Sequence, residues 1–138
     1  MNTTTLLQIA GLLQISLLAA GLAMPRAVRM HEHLAALPVF HRRLFWVYYV
    51  FTGIHFLGCG TLTFVFADAL ASGAPFARGF CAFLALYWAA RFAVTLFVFD
   101  VRPFLTTGLH RFGHSVLNGV FVYLTAVFTW TAWCPATA

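Results

Sequence analysis

The chain has 138 residues, of which 62% are hydrophobic and 8% charged, and its mean hydropathy is +0.90. A water-soluble domain carries about a quarter charged residues, so this composition excludes that class and points to a membrane protein. The net charge of +5 comes from eight arginines and three acids with no lysine, and the arginines flank apolar stretches, which fits topology and anionic lipid headgroups rather than nucleic acid.

A helix that crosses the hydrocarbon core needs about 20 mostly apolar residues. Four segments qualify in chain order: 6–24, closed by Pro25; 44–66; 79–99, closed by Asp100 and Pro103; and 112–133. Together they predict an all-α integral membrane four-helix bundle, with residues 1–138 as a single transmembrane domain. The first span reads as uncleaved, because "MNTTT" lacks a basic residue and no small-x-small site follows. No run of alternating ten-residue strands suggests an outer-membrane barrel.

Arginine placement predicts the orientation. The first loop carries Arg26, Arg29, Arg42 and Arg43, and the third carries Arg102 and Arg111. The second loop has Arg78 alone, and the termini have none. Positive loops stay in the cytoplasm, so both termini are expected outside, N-out and C-out. Trp130 and Trp133 then fall at the outer interface, and Trp46, Tyr48 and Tyr49 near the inner one. Val28, Leu34 and Leu37, interleaved with Arg26, Arg29 and His33, suggest a short interfacial helix in the first loop. The arginine and alanine bias suggests a bacterial source, and hence the bacterial inner membrane.

Arg91 stands within "LYWAARFAVTL", at a predicted depth of about 12 Å. An arginine near the bilayer midplane costs roughly 2.5–3.5 kcal/mol on insertion scales, so a partner is expected. Depth alone puts Gln14, His55 and Tyr123 at a similar level, and Tyr87 and Thr95 share the Arg91 face at helical spacing. These six residues form a predicted polar layer. Two readings stand side by side. In one, Arg91 is satisfied by those neighbours and fixes packing; in the other, it awaits an anionic or carbonyl-bearing ligand such as a lipid headgroup, a fatty acid or a quinone.

Asp100, Arg102, His110 and His114 form a second candidate cluster at the inner surface. Asp100 sits at a helix C-terminus, where the dipole disfavours an anion, and nearby arginines would neutralise it. The His110/His114 pair is spaced to present two imidazoles to one metal ion, and His55 is a candidate haem ligand. Cys59, Cys81 and Cys134 form no C-x-x-C pair and read as free packing residues, although Cys81 and Cys134 lie near outer helix ends, where a disulfide is conceivable. Cys81, Ala85, Ala89 and Ala93 make a small-residue stripe suited to close helix packing.

The segments "RRLFWVYYVF", "FVFDVRPFLT" and "GHSVLNGVFVYL" resemble a group of small bacterial four-span membrane proteins without a known activity. The resemblance implies an integral four-helix fold and carries over no catalytic residue. No Ser/His/Asp arrangement, phosphate-binding glycine loop or carboxylate pair indicates an enzyme. The leading expectation is a non-enzymatic membrane protein that binds a hydrophobic or amphipathic, lipid-like or quinone-like ligand, or supports a membrane complex. A haem- or metal-binding redox protein and a proton-coupled transporter subunit are the alternatives. Membrane lipids are the expected partners, with a homodimer or larger assembly as further possibilities.

Overall fold

A computed structural model describes residues 2–98 and 108–134, with side chains at all of these except 109 and 110. Six helices follow in order: α1 Thr3–Ala27, α2 Met30–Ala35, α3 Val39–Val65, α4 Ala67–Ala71, α5 Pro75–Phe97 and α6 Gly108–Trp133. The protein is an all-α four-helix membrane bundle. α1, α3, α5 and α6 are each long and apolar enough to cross a membrane, and α2 and α4 are short helices in the first two connections.

The long helices begin and end differently from their apolar runs. α3 starts at Val39 behind Pro38, five residues before the expected position, because its first turn is polar but still helical. α5 begins at Pro75, where proline's fixed φ suits the first helical turn. α1 does not stop at Pro25 but continues to Ala27 with the proline buried inside its last turn. Proline lacks the N–H that would bond the Gly21 carbonyl four residues back. The Tyr49 hydroxyl of α3 donates to that carbonyl instead. A short helix does occupy the first loop as α2, with Leu34 buried beneath it. Gly73 takes a positive φ of 73° in the turn between α4 and α5, where a side chain would be strained.

α1 packs against α3 on one side and α6 on the other, and α5 packs closely on α6. α4 bridges α1 and α5. Between α3 and α5 the backbones stay apart, and the gap is filled by aromatic side chains: Phe56 lies 5.4 Å from Trp88, and His55 4.5 Å from Tyr87. The close pair α1–α3 crosses at two glycines. A Cβ on Gly11 would lie 2.8 Å from the Gly60 carbonyl oxygen and 2.7 Å from the Phe64 nitrogen, so only glycine fits there. Membrane helices gain most of their association from such close van der Waals packing.

The core is uneven along the membrane normal. Buried residues cluster in the half that holds both termini: Leu7, Ala10, Gln14 and Leu17 on α1, Thr63 on α3, Cys81, Leu84 and Ala85 on α5, and Leu124, Val127 and Phe128 on α6. An aromatic layer of Phe56, Trp88 and Phe121 closes it, with Trp88 fully buried and 5.6 Å from Phe121. Beyond that layer, toward the arginine-rich loops, the described residues include no fully buried position on α3, α5 or α6. Small residues let the helices approach in one half; bulky Phe, Tyr, Trp and Arg hold them apart in the other.

Candidate functional site

The aromatic layer forms the floor of the open half, and Arg91 lies directly against it. Its guanidinium carbon sits 4.9 Å from the Phe56 ring centroid, a cation–π contact across the α3–α5 gap. Among the described residues the Arg91 head has neither a hydrogen bond nor an ion pair, and its charge also acts on the nearby His55 ring. Tyr87, one turn back on α5, packs its ring on His55 and edge-on to Trp88. Thr95, one turn ahead, donates its hydroxyl to the Arg91 carbonyl at 3.0 Å. Arg91, His55, Tyr87 and Thr95 are therefore brought together, all half-buried.

α6 contributes to the same half. Phe121 beside Trp88, and Ala132 bonded by Arg78, set the antiparallel register of α5 on α6. By that register Asn118 lies level with Arg91 and His114 level with Thr95. The Asn118 amide Nδ2 lies 3.0 Å from His114 Nε2, within hydrogen-bonding distance. Its Oδ1 is buried without a hydrogen-bond partner among the described residues, and the Trp88 indole nitrogen is in the same state.

Gln14 and Tyr123 do not join this group. Gln14 is fully buried on α1, and its Nε2 donates to Thr63 Oγ1 at 3.5 Å, while Thr63 donates to the Cys59 carbonyl at 2.8 Å. Thr63 is eight residues along α3 from His55, about 12 Å toward the terminal end. Tyr123 reaches farther still and donates its hydroxyl to the Leu6 carbonyl at 3.1 Å, near the start of α1. The single level expected from depth resolves into three. Depth counted from the ends of apolar runs ignores the α1–α3 crossing and the reach of a tyrosine. Arg91 itself is six residues from Phe97, so it lies about 9 Å from its helix end rather than 12 Å.

Asp100 and Arg102 lie outside the described residues, and His110 is described by its backbone in α6 alone. The inner-surface cluster is thus represented by His114, whose Nε2 is engaged by Asn118. Among the described residues no three His, Cys, Asp or Glu side chains come together. His55 Nδ1 stands 3.8 Å from Cys59 Sγ on the same helix face. The three cysteines are free: Cys81 is buried, Cys59 half-buried and Cys134 exposed. The small-residue stripe on α5 is buried at Cys81 and Ala85 and loosens through Ala89 to an exposed Ala93.

Phe56, Trp88 and Asn118 belong to this site, and reasoning from polar depth passed over Phe56 and Trp88 because their rings are apolar. The available signal was spacing: Trp88 precedes Arg91 by three positions on one helical face, and Phe56 adjoins His55. No protein-family model, no curated protein and no solved structure matches the chain.

Proposed function

We propose that this membrane protein binds an amphipathic ligand with an anionic head, seated against Arg91 in the open half of the bundle. The observation that carries the reading is that the Arg91 guanidinium lies on an aromatic ring with no hydrogen bond or ion pair among the described residues. A charge inside a membrane span is costly unless an opposite charge meets it, and arginine's planar fork matches a carboxylate or phosphate. A quinone carbonyl would accept a hydrogen bond but leave the charge uncompensated.

Two features of the fold support a ligand with an apolar tail. The α3–α5 backbones stand apart and only side chains separate them at this level, so an acyl chain would have no backbone to displace between them. The floor it would meet is the Phe56–Trp88 stack, an apolar surface. With arginine-rich loops cytoplasmic, the site opens toward the cytoplasmic leaflet of a bacterial inner membrane.

The test is binding of oleate to the purified full chain, compared with its methyl ester. Oleate should bind wild type at least about tenfold more tightly than Arg91→Gln, the loss of one charge-assisted contact. The ester should bind both weakly. Equal oleate binding by a folded Arg91→Gln variant would refute the reading.

A further inference from the structure

A second cation without an ion pair among the described residues lies at the opposite end of the bundle. A cavity of about 440 Å³ lies between the start of α5 and the end of α6, lined by Pro75, Arg78, Gly79, Ala132 and Trp133 among others. Arg78 donates its Nε–H to the Ala132 carbonyl at 2.9 Å. That carbonyl is one of the last four of α6, which have no partner within the helix. The bond pins the plane of the guanidinium and engages one of its edges. The two Nη groups have no hydrogen bond or ion pair among the described residues.

Arg78 is also out of place by topology. Arg78 lies in the first turn of α5, and that end otherwise carries no basic side chain. Trp130 and Trp133 are 59% and 69% exposed on the last turns of α6. Their amphipathic indoles place this end of the bundle at headgroup depth. A fixed pair of parallel N–H donors at that depth matches two oxygens of a phosphate group.

We propose that this cavity is a phosphate site in which the Nη pair of Arg78 grips the phosphate of a phospholipid headgroup or of free inorganic phosphate. The site is independent of Arg91 and lies at the other membrane surface.

Native mass spectrometry of the delipidated full chain, titrated with phosphatidylglycerol, tests it. In an Arg91→Gln background, which removes the other anion site proposed above, the chain should hold one phosphatidylglycerol about tenfold more tightly than with Arg78→Gln added. Gly79→Leu provides the second variant: a Cβ at 79 meets nothing within 4 Å, so leucine projects into the cavity while the Arg78–Ala132 bond stays. It should lose the same lipid to a similar degree. Diacylglycerol, which lacks the phosphate, should bind the Arg91→Gln chain no better than these variants do. Displacement of the lipid by excess inorganic phosphate would identify a free-phosphate site; retention of the lipid would identify a headgroup site. In that background, equal phosphatidylglycerol affinity with and without Gly79→Leu, or diacylglycerol binding as tight as phosphatidylglycerol, would overturn the proposal.

Discussion

The Tyr49 hydroxyl donates to the Gly21 carbonyl, the acceptor left without its helical donor by Pro25. The pair explains how α1 carries a proline through its last turn and still reaches Ala27. It also ties α1 to α3 near the arginine-rich end, where the bundle has few buried contacts. Tyr49→Phe should destabilise the protein by about 1 kcal/mol, the scale of one hydrogen bond within a membrane protein. Pro25→Ala restores an N–H for Gly21, so Tyr49→Phe should cost close to nothing in that background. Detergent-unfolding midpoints for the four proteins of this cycle measure the coupling, and an equal cost in both backgrounds would break the link.

The glycine crossing of α1 and α3 leads to a sharper contrast. Gly11→Ala forces a methyl against the Phe64 and Gly60 backbones, which cannot turn aside as a flexible side chain does. A loss of about 1–3 kcal/mol is expected, as for overpacking in a tight core. Gly113→Ala and Gly119→Ala meet nothing within 4 Å and should be neutral or stabilising by up to about 1 kcal/mol through helix propensity. Thermal unfolding of the three single variants would decide it; a ranking in which Gly11→Ala is as stable as Gly119→Ala would contradict the close approach.

Hydropathy made the four spans legible, because lipid demands about 20 apolar residues in a row wherever a helix crosses. The face shared by Tyr87, Arg91 and Thr95 was equally plain, since one helix sets its own periodicity. What lay beyond reach was the register between helices. Gln14 and His55 look level when each depth is counted along its own span, yet Gln14 pairs with Thr63, two turns from His55. That offset depends on where Gly11 meets Gly60, a contact between elements that no single-span pattern encodes. Pro25 read as a stop for a related reason: the donor that compensates it, Tyr49, comes from another helix.

Gln14 is buried at considerable cost for little return. Its Nε2 makes one long bond at 3.5 Å, and its Oε1 has no partner among the described residues. An unsatisfied buried acceptor costs about 1–3 kcal/mol, and replacing it with an apolar group of similar shape is often neutral or better. Gln14→Met should therefore leave stability unchanged or raise it, by up to about 1 kcal/mol. Oleate binding at Arg91 should be unaffected, because Gln14 lies about 12 Å from the His55 level. A marked loss of stability in Gln14→Met would show that the amide holds α1 and α3 in register.

Orientation rests on where the arginines lie, and the cysteines offer a direct check of it. Cys134 is exposed just after α6, at the end that holds both termini, whereas Cys81 is buried in the α5 core. If arginine-rich loops are cytoplasmic, Cys134 faces the outside and its thiol is open to an impermeant reagent. In intact spheroplasts, a charged maleimide should label a variant retaining Cys134 alone, before any permeabilisation. A variant retaining Cys81 alone should label only after denaturation, because its sulfur is 0% exposed. Labelling of Cys134 only after permeabilisation would invert the bundle. It would then turn the Arg91 site toward the outer leaflet and the Arg78 cavity toward the cytoplasmic one, leaving the chemistry of each intact while exchanging the lipids each can meet.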